Sequence, residues 1–309
     1  MRSTSTPRLL KTLESNHNNA PLCQAPDQVL KKPGLVVCKH ATDCHAHICG
    51  PASNYPYSEK RIYTPPDALL PQYQTLLKHL GIERAVLVQP SVYAEDNRAL
   101  LAALKTDLNH LRGVAVVDWD IPELELEKMH LAGVRGVRCN IVDRADAKGV
   151  LPILKLRYLA DKIAPMGWHM ELLMHVNEFP DLDQILRSLP VQVVFGHLGY
   201  LKTNLGINNR GFQSLLSLMR EERAWAKLTG PYRISSHHRP PYSDTDPFAH
   251  ALLEANSRQV VWGSDWPHVM VKDFMPNDAD LLDLLSTWVP DSQLRDQVLS
   301  SNPARLYQF

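Results

Sequence analysis

The sequence predicts a single closed (β/α)8 barrel, an α/β fold, over residues 34–309, preceded by an arm over residues 1–33. Three observations carry that prediction. Eight short apolar runs alternate with helical patterns over about 275 residues, the length that eight β-then-α units need. Several runs are almost unbroken Val, Ile and Leu, as in AVLVQ (85–89), VAVVD (114–118) and VVWGSD (260–265), which suits strands covered on both faces. The runs also close on polar side chains, and chemistry in such a barrel lies at the C-terminal ends of the strands.

In chain order, residues 1–33 are polar, rich in Ser, Thr, Asn and Pro, and have no sustained period, so they read as an extended or disordered arm. The expected strands are Thr42–Ile48, Arg84–Gln89, Gly113–Asp118, Val134–Asn140, His169–Val176, Val191–His197, Ala226–Gly230 and Val260–Asp265. Helical spacing is plain in four of the intervening stretches. Pro71–Leu80 carries Tyr73, Leu76, Leu77 and Leu80, and Asn97–Leu104 carries Leu100, Leu101 and Leu104. Phe212–Met219 and Phe248–Leu253 behave likewise. A doubly wound sheet is the competing architecture, but no GxGxxG follows the first strand.

Composition narrows the function. Thirty-three Lys and Arg balance 33 Asp and Glu, so the formal net charge is zero. That excludes nucleic-acid binding or membrane-surface attachment driven by bulk charge. Hydrophobic residues are 44% and charged residues 21%, the balance of a soluble globular protein, and no run approaches the roughly 18 apolar residues a spanning helix needs. The N-terminus lacks the apolar core of a secretory signal. The five cysteines (23, 38, 44, 49 and 139) are odd in number and contain no CxxC, which suits a reduced compartment. A cytoplasmic protein acting on a small molecule is the expectation.

The chemistry concentrates in three motifs. Asp43-Cys44-His45-Ala46-His47 places two imidazoles at i and i+2, on one side of a strand, where they suit a divalent metal or paired hydrogen bonds. Gly196-His197-Leu198-Gly199 closes the sixth strand and Trp262-Gly263-Ser264-Asp265 the eighth. The first and eighth strands of a closed barrel are neighbours, so Asp265 should fall beside His45 and His47.

These motifs, with Gln89-Pro-Ser91, Gly136-Val-Arg138-Cys-Asn140 and Asn302-Pro-Ala-Arg-Leu-Tyr307, resemble the amidohydrolase superfamily, a metal-dependent-hydrolase-like set of barrels, from about Gly34 to the C-terminus. Within it the chain looks like the 2-pyrone-4,6-dicarboxylate lactonase-like branch. The resemblance implies hydrolysis of a lactone, with Asp265 taking a proton from water and His45, His47 and His197 holding or polarising the reacting groups. Ester hydrolysis independently needs a base for water and a donor or cation for the developing oxyanion. The resemblance further implies that Arg138, Arg144 and Arg233 hold substrate carboxylates, with Tyr63, Ser91 and His268 near the substrate. Planar guanidinium groups suit that task.

Two departures from the branch matter. His175 stands at the end of the fifth strand, where metal-binding relatives often carry a ligand. The centre is therefore expected to hold either no metal or one divalent ion, zinc or manganese, with His45, His47, His175 and Asp265 as the ligand set. Tyr200 stands where the pyrone lactonase has an arginine, and Leu173 lies near a lost tyrosine, so the expected substrate is an anionic lactone and not necessarily the same dicarboxylate. The loops 200–210 and 235–246 should lie over the mouth, and His237-His238-Arg239 reads as loop surface. A lactone isomerase, a decarboxylase or a barrel that binds without turnover would use the same groups.

Overall fold

The computed structural model describes residues 20–142 and 151–309. Eight parallel strands follow one another around a barrel in the order β1 to β8. They are β1 (Thr42–Ala46), β2 (Arg84–Val88), β3 (Leu111–Ala115), β4 (Val134–Asn140), β5 (His169–Leu173), β6 (Val193–Phe195), β7 (Ala224–Leu228) and β8 (Val260–Trp262). β1 and β8 close the ring through a single parallel bridge between Ala46 and Trp266. Two hydrogen bonds flank it, from Asp265 N to the His45 carbonyl and from His47 N to the Trp266 carbonyl, both 2.8 Å.

Each strand is followed by its helix: α1 (Leu70–Leu80), α2 (Arg98–Leu104), α3 (Glu123–Leu131), α4 (Ile153–Ile163), α5 (Leu182–Leu186), α6 (Arg210–Arg220), α7 (Asp246–Asn256) and α8 (Asp278–Trp288). In α1 the buried side chains are Leu70, Tyr73, Leu76, Leu77 and Leu80, the apolar stripe that the sequence pattern marks. Two short helices, α9 (Ser292–Asp296) and α10 (Asn302–Tyr307), finish the chain. Leu306 and Tyr307 of α10 pack with Cys44, Val86, Val88, Val114, Val194, Trp225 and Val261. The Asn302 side chain ties this helix to β8 through the Val260 carbonyl at 2.7 Å. The motif ending at Tyr307 therefore builds the barrel floor.

Most strands stop before the polar residues that the apolar runs led into. β6 ends at Phe195 and β8 at Trp262, so His197 and Asp265 lie past the ladder. Both have left-handed backbones, with φ of 51° and 71°. Such values are uncommon for residues with a Cβ and mark sites where the surroundings fix the chain. They turn these side chains inward, where a continuing strand would carry the chain away.

β1 departs from simple alternation. Asp43 pairs with Ala85 but Ala46 pairs with Leu87, so β1 holds one extra residue against β2. This bulge lets both Cys44 and His45 face the interior, and His47 follows on the same side. Asp43 faces outward instead. Its carboxylate accepts from Tyr73 Oη of α1 at 2.8 Å, from Ser264 N at 2.9 Å and from His45 N at 3.1 Å, stapling β1 to α1 and the end of β8.

The described part of the arm is extended and pinned to the barrel. Cys23 N donates to the Thr64 carbonyl and Thr64 N to the Pro21 carbonyl, both at 2.8 Å. Further on, the Asp283 carboxylate accepts from Gly34 N and Leu35 N at 3.0 and 2.8 Å. No helix of the described residues is long and apolar enough to cross a membrane. All five cysteines are free.

Candidate active site

His45 comes from β1, His47 from the residue just past its end, His197 from the turn after β6 and Asp265 from the turn after β8. All four side chains are buried. The rings of His47 and His197 lie edge-on to that of His45, at 5.0 and 5.2 Å. Asp265 Oδ1 stands 3.7 Å from His45 Nε2 and 3.9 Å from His47 Nε2, and Oδ2 is 3.9 Å from His197 Nδ1. These separations exceed direct hydrogen bonds. Among the described residues, His45 Nε2, His197 Nδ1 and Asp265 Oδ1 have no hydrogen-bond partner.

Glycine makes this approach possible. A Cβ on Gly263 would sit 2.7 Å from both the Cβ and the backbone nitrogen of His45. One on Gly230 would meet His197 Nδ1 at 2.8 Å and Asp265 Oδ2 at 3.0 Å, and Gly230 also has a φ of 58°.

The other oxygen of Asp265 is fully engaged. Oδ2 accepts from Tyr232 Oη at 2.5 Å and from Arg233 Nε at 2.6 Å. Tyr232 Oη is 3.0 Å from His268 Nδ1, whose Nε2 is 3.1 Å from Asp278 Oδ1. A chain of polar groups thus runs from the start of α8 to Asp265. Burial works to raise the Asp265 pKa, but the charge and hydrogen bond of the Arg233 guanidinium outweigh it and hold the carboxyl well below the usual range. Burial pushes His47 down to about 3, reinforced by Arg138, and does the same to His197. Burial, then Lys227, lowers His45 well below its ordinary value. The centre at neutral pH is an ionised carboxylate beside three neutral imidazoles.

Beneath His45, Lys227 of β7 and Glu171 of β5 form a buried ion pair at 2.6 Å. Across the mouth, Arg138 near the end of β4 donates from Nη1 to the Gln89 carbonyl at 3.1 Å, and its Nε has no partner among the described residues.

His45, His47 and Asp265 each offer one ligand atom, all within 4.8 Å of one another. His45 Nε2 and Asp265 Oδ1, 3.7 Å apart, have no partner among the described residues, and imidazole and carboxylate are the donor types a divalent cation takes, provided that His45 offers its Nε2 lone pair. His175, expected to complete it, stands apart from this group. Its Nδ1 is hydrogen-bonded to the Tyr200 carbonyl at 2.9 Å and its ring stacks on Tyr200 at 4.5 Å. The Tyr200 ring in turn lies 5.3 Å from that of His197.

The sequence matches the amidohydrolase family over residues 42–309. The chain belongs to that family. This amidohydrolase is 37% identical over 284 residues to a 2-pyrone-4,6-dicarboxylate hydrolase of Comamonas testosteroni, covering 89% of this chain and 92% of the relative. It is 35% identical to a 4-sulfomuconolactone hydrolase of Rhizobium radiobacter, covering 96% and 99%. A crystal structure of a probable 2-pyrone-4,6-dicarboxylic acid hydrolase from Acinetobacter baumannii, with citric acid bound, superposes with a TM-score of 0.77 at 26% identity, over 87% of this chain and all of that one. The branch that the motifs suggest is the branch that these relatives share.

The remaining expected residues of this amidohydrolase fall in different places. Arg233 reaches the centre, though its Nε is committed to Asp265 and its Nη2 donates to the Val269 carbonyl at 3.1 Å. Ser91 opens the turn after β2, where its Oγ accepts from Asn140 Nδ2 at 3.2 Å. Tyr63 is buried with Val92, Tyr93 and Val269. His268 stands behind Tyr232. Arg144 lies outside the described residues. His237 and His238 are exposed on their loop, 3.8 Å from Asp244 and 3.4 Å from Asp273.

Sequence reasoning missed Tyr232 and Glu171, the partner of Lys227. A signal existed for Glu171. A carboxylate in the middle of the buried strand HMELL is expensive to bury without a partner.

Proposed function

We propose that this amidohydrolase opens a small anionic lactone by hydrolysis. Asp265 Oδ1 accepts a proton from water. The water oxygen adds to the ring carbonyl carbon, the ring C–O bond breaks, and the proton passes to the departing ring oxygen. The product is a hydroxy acid. His45, His47 and His197 surround the reacting oxygens. Arg138 and Arg233, with Arg144, Tyr63 and Ser91, hold the anionic substituents. His268 acts on Asp265 through Tyr232. A cation bound by His45, His47 and Asp265 would add Lewis-acid polarisation.

One observation carries the reading: a buried, ionised carboxylate with one oxygen anchored by Arg233 and Tyr232 and the other partnerless among neutral imidazoles. Such an oxygen is oriented for proton transfer. The two curated relatives, both hydrolases of ring compounds bearing acidic groups, support the substrate class. The test is a panel of pyrone dicarboxylate, sulfomuconolactone and sugar-acid lactones, with products resolved by chromatography. Ring-opened acid is the expected product. Asp265→Asn should lower turnover by about 10²–10⁴-fold. A variant with full turnover refutes the base. A shifted lactone or released carbon dioxide identifies an isomerase or a decarboxylase, and binding without turnover identifies a non-catalytic barrel.

A further inference from the structure

The Lys227 ammonium is buried against three acceptors: Glu171 Oε2 at 2.6 Å, the Cys44 carbonyl at 2.9 Å and His45 Nδ1 at 3.2 Å. An ammonium has three protons and no lone pair, so each proton has one acceptor here and His45 Nδ1 must accept. An imidazole that accepts at Nδ1 is neutral and carries its proton at Nε2. That N–H faces Asp265 Oδ1. His47 is the reverse. Its Nδ1 lies 2.7 Å from the Val88 carbonyl, which can only accept, so the proton is on Nδ1 and the Nε2 lone pair faces Asp265.

We infer that Lys227 and Glu171 hold the two histidines of the HxH motif in opposite tautomers, His45 a donor and His47 an acceptor, and that Lys227 thereby opposes ligation of a divalent cation by His45. Ligation would need the lone pair at His45 Nε2, with the proton moved to Nδ1 and an acceptor beneath it. Glu171 Oε1 is placed for that, 3.6 Å from His45 Nδ1, but the closer Lys227 takes the position. Lys227 is a positioning residue acting through His45. The inference stands on geometry; only the corollary that His45, not His47, donates to the lactone carbonyl rests on the reading above.

Nitrogen-15 spectra of histidine-labelled protein report tautomers directly, with His45→Gln assigning the resonance. In the unsubstituted protein His45 should show the Nε2–H pattern and His47 the Nδ1–H pattern. Lys227→Met should release Glu171 to His45, convert it to Nδ1–H, and tighten zinc binding in equilibrium dialysis by at least about tenfold. Lys227→Met/Glu171→Gln should lose that gain, because no carboxylate remains to orient the ring. A His45 already Nδ1–H in the unsubstituted protein overturns the inference, as does a folded Lys227→Met with unchanged zinc affinity. If Lys227→Met does not fold, the unsubstituted spectrum decides alone. Neither readout depends on which lactone is turned over.

Discussion

At the scale of single residues, the site is built from side chains whose charge state is set by burial. His47, His169 and His197 are each pushed to about 3 by burial, against an ordinary value near 6.5. Each therefore takes up a proton when the chain unfolds between those values, so its contribution to stability is complete above pH 6.5 and is lost as pH falls towards 3. Asp43 runs the other way. Burial raises it to about 6, so between roughly pH 4 and 6 the folded state holds a proton that the unfolded state has lost. His45 is lowered too, so four imidazoles against one carboxyl leave a net uptake of about three protons on unfolding in that window, each worth about 1.4 kcal/mol per pH unit. The unfolding midpoint should drop markedly between pH 7 and 5, followed by scanning calorimetry in matched ionic strength. A flat profile across that range would contradict the neutral, buried state of these rings. The sequence shows His45, His47, His197 and Asp265 as candidates because each closes an apolar run. It does not show that Tyr232 shares Asp265 with Arg233, because that contact joins residues from different turns.

At the scale of elements, the eight alternating units were legible because parallel strands covered on both faces must be apolar throughout. The strand ends were less so. β6 and β8 stop short of His197 and Asp265, which adopt left-handed backbones that the packed neighbours enforce. The bulge in β1 is likewise a matter of pairing with β2. Equal spacing of His45 and His47 predicts a shared face, but not that Cys44 joins them. Helix α3 buries only Leu126, so it carries almost no periodic signal and follows from its place between β3 and β4. The approach of β8 to β1 depends on Gly263. Gly263→Ala would push a methyl group against the His45 backbone, which cannot rotate away. It should cost about 1–3 kcal/mol of stability by overpacking, read in denaturant titration, and lower turnover in the fraction that remains folded. A variant as stable and as active as the parent would mean that the two strands have slack.

At the scale of the whole molecule, the barrel closes unevenly. Seven strand pairs are joined by ladders of three or more residues, but β1 and β8 meet through one bridge and two flanking hydrogen bonds. The Asp43 carboxylate reinforces that seam from outside and α10 from below. The seam is also where Asp265 meets His45 and His47, so the reactive centre is set into the join. Local opening draws first on the least-bonded contacts. In amide hydrogen exchange, the Asp265 and His47 protons should lose protection at a lower free energy than those of β2 to β5, and a bound lactone or cation spanning the join should slow them more than any others. A barrel whose exchange is uniform around its circumference would show the seam to be as strong as the ladders. Otherwise the same few atoms that would act on a ligand are those a ligand would clamp together, so occupancy and closure of the ring are one equilibrium seen from two sides.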